Sequence, residues 1–227
     1  MFKHQDSRQY RMLIPLETVA HFLRLYKIQP RGALHVGAHE CEERHMYHTV
    51  FNLDDETILW VDGNEDLVKK NKANGIPLCI HSVLDETAHE ATFQITNNGQ
   101  SSSLLELGTH KESYPYIVVT ERRTVQTETL EQMFGRIQKN PAEYNIWNFD
   151  IQGSELAVFR GSPELLQYCD MLVTEVNTAH VYKDCGLLTE LDSFLKSHGL
   201  HRMFTQMTNE KWGDALYVRK SQQLHEE

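Results

Sequence analysis

Fifteen residues, "LHVGAHECEERHMYH" (Leu34 to His48), hold four histidines, one cysteine and three glutamates. Side chains of these types ligate metals, yet the same stretch also has the form of a nucleotide-binding turn after a strand. A metalloprotease-type helix needs His at i and i+4 with Glu beside the first. Here His39-Glu40 is followed by His45, six positions on and roughly 240° around a helix at 3.6 residues per turn. His45 and His48 share a face but lack an obvious third ligand, so a solvated polar helix face is the better reading. Gly37 gains weight on the other reading, because glycine lets the backbone turn tightly and approach a ligand that a Cβ would obstruct. About 25 residues later Asp62 closes "WVDGNED". A carboxylate there can accept hydrogen bonds from both ribose hydroxyls of an adenosine group.

These residues need strands to carry them. Pro15 to Ile28 has apolar residues at Leu16, Val19, Phe22, Leu23 and Tyr26, the spacing of an amphipathic helix. Ala33 to Val36 is a short apolar strand, Glu42 to Phe51 a helix, Thr57 to Asp62 a second buried strand, and Glu65 to Ala73 a second helix. "IPLCIHSV" gives a third strand after the Asn74-Gly75 turn. In "ATFQIT" the apolar residues Ala91, Phe93 and Ile95 alternate with polar ones, so one face is expected to be wet. "YIVVTERRTVQ" is a further strand, then a helix runs from Thr129 through Ile137. "NIWNFDI" and "DMLVTEV" are the fourth and fifth core strands. Between them lie a helix around Ser154 to Arg160, with Ser154 as its cap, and another starting at Pro163. Leu187 to Ser197 is the last helix, and "LHRMFTQM" and "DALYVRK" form an antiparallel hairpin. Strands alternating with helices imply an α/β fold: a Rossmann-like, mostly parallel seven-stranded sheet with a C-terminal antiparallel hairpin and helices on both faces. In such a sheet the ligand crevice lies at the carboxyl ends of the strands, at the switch point between the first and fourth. Trp60 and Trp147 belong to its core.

A chain of 227 residues can bury one such core without disulfides or a structural metal. Residues 31–220 are expected to form the main domain, with 1–30 a helical N-terminal extension and 221–227 a polar tail. No apolar run approaches the roughly 20 residues of a membrane span, and the start is too polar for a secretory signal. The four cysteines, Cys41, Cys79, Cys169 and Cys185, are scattered, so reduced thiols and a cytoplasmic location are expected. A formal net charge of −10 and only short basic clusters argue against a nucleic-acid partner. A small or neutral substrate suits this balance.

The stretches "HVGAHECEE", "WVDGNEDLVKKNKAN", "ATFQITNNGQSSSLLE", "VQTETLEQMF", "WNFDIQGSELAVFRGSPELL" and "GDALYV" resemble, in order, the FkbM-type S-adenosylmethionine-dependent methyltransferases. The closing hairpin agrees with class I methyltransferases. A dehydrogenase is the weaker reading, since the second and third fingerprint glycines are missing. Two positions depart from the family: His35, where it commonly has Asp, and Cys41, where it commonly has Gly. The resemblance implies that Gly37 and its neighbours His35, Ala38, His39 and Glu42 meet the methionine part of the cofactor. It places Asp62 on the ribose, Gly63 and Asn64 along the adenosine, and Ser82 and Val83 by the adenine. Ser101, Ser102 and Ser103 would close over the sulfonium or the acceptor, and Asp150 would line the cofactor site.

Methyl transfer from a sulfonium requires alignment of an acceptor oxygen and removal of its proton. Asp150, Glu175 and His180 are the candidates for that proton. Asp150 and Glu175, on neighbouring strand ends, could instead hold Mg²⁺ or another divalent cation. The expected acceptor is a hydroxyl of a sugar, glycan or related small molecule, with a homo-oligomer open. RNA or protein methylation, or an inactive cofactor-binding subunit, are the alternatives.

Overall fold

The computed structural model describes residues 12–220. The polar tail at 221–227 and the first eleven residues of the expected N-terminal extension lie outside the described residues. The described part of that extension carries helix α1 (Leu16–Leu25), which buries Val19 and Leu23. Strand β1 (Ala33–Val36), helix α2 (Arg44–Thr49), strand β2 (Ile58–Asp62) and helix α3 (Glu65–Ala73) follow. Next come β3 (Cys79–His81), β4 (Val83–Leu84), β5 (Glu90–Thr96), α4 (His110–Ser113), β6 (Val119–Glu128) and α5 (Leu130–Ile137). The chain ends with β7 (Ile146–Phe149), α6 (Glu155–Gly161), β8 (Met171–Asn177), α7 (Leu188–Ser197), β9 (Leu200–Met207) and β10 (Trp212–Arg219). Pro163–Tyr168, expected as a helix, is a 3₁₀ turn.

The main sheet has the order β3-β2-β1-β7-β8-β10-β9. Its first five strands are parallel, and β10 runs antiparallel to both β8 and β9. Period-two alternation sends the side chains of each central strand into two cores, one on each face. Leu34, Val36, Leu59, Val61, Trp147 and Phe149 pack on one face. Ala33, Ile58, Trp60, Ile146, Met171 and Val173 pack on the other. Burial on both sides is why these strands read as continuous apolar runs. Connections leave β1 toward β2 on one flank and arrive at β7 on the other, so the β1–β7 boundary is the switch point. Among the described residues no helix is long and apolar enough to cross a membrane.

Four local expectations are corrected. "IPLCIHSV" is not one strand: it breaks at Ser82, and β4 leaves the main sheet to pair with β6 in a separate sheet ordered β4-β6-β5. The wet face of β5 ends at Phe93. From there Phe93, Gln94, Ile95 and Thr96 are all buried, because the chain doubles back and Ser103 pairs with Gln94. Helix α2 starts at Arg44 rather than Glu42, since His39 and Cys41 take left-handed backbone angles (φ 40° and 59°) that helices do not propagate. Ser154 makes no cap hydrogen bond. The Glu155 carboxylate turns back on the preceding loop instead, accepting the backbone N–H groups of Ile151 at 2.8 Å and Gly153 at 3.3 Å.

Candidate active site

The carboxyl ends of β1, β2, β7 and β8 converge on one crevice. After β1 the backbone N–H groups of Gly37 and Ala38 both donate to the Val61 carbonyl, at 2.9 and 3.0 Å, folding the turn over β2. Gly37 has φ 90°, and a Cβ there would stand 1.8 Å from the Asp150 carbonyl oxygen. The two loops at the switch point are therefore in backbone contact, and only glycine fits. Asp62 fastens the turn from the other side. Its Oδ2 accepts the His39 N–H and its Oδ1 the Asn64 N–H, both at 2.7 Å. Burial raises the Asp62 pKa, a rise that those two backbone donors offset only in part. The His39 carbonyl takes 2.7 Å from Nδ2 of the buried Asn71 on α3.

Gly37, Asp62, Gly63, Ser82, Val83 and Ser102 wall a narrow slot of about 60 Å³. Ser154 also faces it, and its buried hydroxyl oxygen has no hydrogen-bond partner. A larger cavity of about 450 Å³ lies beside the slot and shares Gly37, His39, Gln100 and Asp150 with it as common walls. Among the described residues no lysine or arginine lines either space.

Carboxyl groups dominate the larger cavity. Gln152 Nε2 donates to Asp150 Oδ1 and, at 2.7 Å, to Glu175 Oε2. Gln152 Oε1 accepts from the Tyr182 hydroxyl. Asn177 Nδ2 adds a 3.3 Å contact to Glu175 Oε1. Burial, then the charges of Asp150 and Glu155, push the Glu175 carboxyl well above the usual carboxylate range. Glu155 behind it is pushed up to about 7 by burial. Asp214 on β10 is pushed up to about 7 by burial and by Asp150, and its Oδ2 accepts the Leu13 N–H at 2.5 Å.

His35, Glu42, Ser101 and Glu175 line the larger cavity; Asp62, Gly63, Ser82, Val83 and Ser102 line the slot; Gly37, His39 and Asp150 line both. His35 is neutral, driven down to about 3 by burial, stacks on Trp60 at 4.7 Å and shares a 2.9 Å hydrogen bond with the Tyr47 hydroxyl. Ala38, Asn64 and Ser103 line neither space. Asn64 caps α3 by accepting the Asp66 N–H, and the Ser103 hydroxyl donates to the Gln152 carbonyl at 3.0 Å. His180 is exposed and outside the cavity; it lines a separate groove beside Asp184 and Cys185. No group of three or more His, Cys, Asp or Glu side chains among the described residues is arranged to hold a metal ion. Asp150 and Glu175 instead share an amide donor.

Sequence reasoning missed His110, Tyr114, Tyr116, Trp212 and Asp214, all on the wall of the larger cavity. The first three lie in "THKESYPY", which has neither helical nor strand periodicity. Asp214 opens "DALYVRK", where a polar residue at a strand end carries no signal of a site.

A sequence profile of the Methyltransferase FkbM domain matches residues 35–201. No curated protein sequence matches the chain. The crystal structure of methyltransferase FkbM from Methylobacillus flagellatus KT aligns with a TM-score of 0.50 at 10% identity, over 84% of this chain and 44% of that one. This chain thus spans less than half the length of that protein. Magnesium protoporphyrin IX methyltransferase from Synechocystis PCC 6803, solved with bound SAM, aligns at 0.43 and 10% identity, over 90% and 78% of the two chains. At 10% identity the likeness to the Methylobacillus flagellatus structure speaks for the fold alone.

Proposed function

Because the chain belongs to the FkbM methyltransferase family, we propose that it moves a methyl group from S-adenosylmethionine to a hydroxyl oxygen of a neutral sugar or related small molecule. The observation that carries this reading is the pair of adjoining spaces whose described walls hold carboxyls, imidazoles and phenols but no lysine or arginine. A cationic donor suits these walls. An anionic acceptor, including the backbone of RNA, would meet Asp150, Glu175 and Asp214 without a counter-charge.

The residues present fit the donor. The slot beside Asp62 supplies a buried carboxylate for ribose hydroxyls, and the unpartnered Ser154 hydroxyl offers a hydrogen bond to an adenosine group. Gly37 keeps the cradle open where a Cβ would collide with Asp150. Ser82 and Val83 would flank the adenine, with Ser102 closing the slot. His35, His39 and Glu42 would stand along the methionine part, and Asn64 would act only through its backbone and its cap on α3.

When bound, S-adenosylmethionine supplies an electrophilic methyl on a good leaving group. The chain itself would align the acceptor and exclude water, an orientation effect of up to roughly 7–11 kcal/mol. Asp150, held by Gln152, would orient the acceptor hydroxyl. Glu175, its carboxyl pushed upward by burial and held by Gln152 and Asn177, would share that orienting task.

Calorimetry with the purified chain tests the donor half. Micromolar binding of S-adenosylmethionine, weakened at least about tenfold by Asp62→Ala, is expected. No binding, or an unchanged affinity in the variant, refutes it. Labelled S-adenosylmethionine with a glycan panel, with and without a chelator, tests the acceptor and any metal requirement.

A further inference from the structure

Resting on that reading, we infer that His110 is the base that takes the acceptor's proton, in a chamber where Tyr114, Tyr116 and Trp212 form the platform for a neutral sugar ring. His110 opens α4 in the segment between β5 and β6. That segment is tied down along its length. Gly108 N–H and His110 N–H both donate to the Val181 carbonyl, at 2.9 and 3.1 Å, and Thr109 N–H donates to the His180 carbonyl at 3.1 Å. A Cβ on Gly108 would lie 2.3 Å from that same His180 oxygen. Leu107 pairs with Tyr182 and packs with Val181 and Cys185. The imidazole is thereby held at a fixed place on the cavity wall.

His110 is 5% exposed, and its ring lies 4.9 Å from that of Tyr114 and 5.5 Å from that of Tyr182. Its Nδ1 is enclosed without a hydrogen-bond partner. The other titratable groups on the wall are engaged: Glu175 and Asp150 by Gln152, Asp214 by the Leu13 N–H, His35 by Tyr47 and His39 by Glu42. Glu43 also lies on the wall, in ionic contact range of His35 at 3.9 Å. A buried ring nitrogen with no partner is costly unless a ligand supplies one. Burial holds its pKa below the ordinary histidine value, so it is neutral and able to accept a proton at pH 7.

Tyr182 connects this ring to the switch point, since its hydroxyl donates to Gln152 between Asp150 and Glu175. Trp212 Nε1 donates to the Tyr114 hydroxyl at 3.0 Å, and the Tyr114 and Tyr116 rings stand edge to face, 6.2 Å apart. Tyr116 is 70% exposed, a large aromatic at the mouth of a cavity it also lines. Flat aromatic faces with polar tips match the apolar C–H face and hydroxyl rim of a pyranose. In the reaction the acceptor oxygen forms a bond to the methyl carbon while the methyl–sulfur bond breaks, its electron pair staying on sulfur. The hydroxyl proton passes to the His110 imidazole and from there to solvent.

The test uses the full chain, tritiated S-adenosylmethionine and a panel of neutral methyl pyranosides. His110→Asn and His110→Gln are expected to lower kcat about 10²-fold or more. KM for the sugar and the calorimetric Kd for S-adenosylmethionine should stay within threefold, and the acid limb of the pH profile should vanish. In the S-adenosylhomocysteine complex of the wild type, the accepted sugar should shift the His110 ring resonance, and Tyr116→Ala should raise KM without that loss of kcat. Variants that keep kcat within threefold, or keep the acid limb, overturn the assignment. So does a wild type that binds S-adenosylmethionine but methylates none of the pyranosides. Failure to bind S-adenosylmethionine at all removes the methyltransferase reading instead.

Discussion

Gln152 Nε2 donates 2.7 Å to Glu175 Oε2 and so pins the loop after β7 to the end of β8. The same amide nitrogen reaches Asp150, and the amide oxygen accepts from Tyr182. One neutral side chain therefore holds two carboxyls and a phenol in register. Gln152→Leu would leave those groups short of a partner in a buried place, at a cost of roughly 1–3 kcal/mol. Urea unfolding should show the unfolding free energy falling by that amount, and an unchanged value would mean that water replaces the amide without loss.

Gly37→Ala is expected to be more severe. The new Cβ would meet the Asp150 carbonyl, a backbone atom that cannot swing aside, and the residue would have to hold φ 90°. Both terms act on the switch point itself. A loss of more than about 2 kcal/mol is expected, together with loss of S-adenosylmethionine binding. Thermal melts and calorimetry measure the two effects. A variant with wild-type stability would show that the loops can separate.

The fold was legible where burial on both faces forces long apolar runs, as in Ile58–Asp62 and Met171–Asn177. The Gly37 and Asp62 side of the crevice was legible for a related reason: strand ends announce themselves. The opposite wall was not. His110, Tyr114 and Tyr116 are brought to the crevice by backbone bonds from residues 106–110 to residues 180–183. Such pairing depends on where two irregular loops meet, which no local pattern encodes. Ser82 illustrates the same limit. Its hydroxyl donates to Glu128 Oε1 at 2.8 Å, and the chain changes sheets there to meet a strand more than forty residues away.

Stability should fall as pH rises from about 5 to 7. Glu155 moves from 4.5 to about 7 on folding and Asp214 from 3.8 to about 7, in both cases chiefly through burial. Over that window the folded chain keeps protons that the unfolded chain has released, so each step up in pH favours unfolding. The contribution is whole below the unfolded values and gone above about 7. Carboxylates with lowered values, such as Asp55 and Glu128, act with the opposite sign mainly below pH 5, while His35, driven from 6.5 to about 3 on folding, offsets part of the decline up to about pH 6.5. Unfolding free energies from urea titrations at pH 5, 6, 7 and 8 should decline by more than about 1 kcal/mol in total. Asp214→Asn should flatten the slope, and a midpoint that climbs across the interval would contradict the burial of these groups.

Cys41 stands at φ 59°, in the left-handed region, at the position where the FkbM resemblance leads one to expect glycine. The turn holds a cysteine in a backbone conformation that glycine adopts without strain. Left-handed backbone costs an L-residue roughly 1–2 kcal/mol. The Cys41 side chain, 4% exposed and packed among Ala38, Met46, Tyr47 and Cys79, returns a comparable amount through burial. Cys41→Gly removes both terms, so its unfolding free energy should stay within about 1 kcal/mol of wild type. Cys41→Val keeps the conformational cost, adds a β-branched side chain that tolerates left-handed angles poorly, and should lose more than about 2 kcal/mol. The comparison is what matters: if glycine proves as damaging as valine, packing by the thiol rather than backbone angle governs this turn. Because His39 and Asp62 are joined just before it, S-adenosylmethionine affinity should follow the same order, with glycine equal to or tighter than wild type and valine weaker.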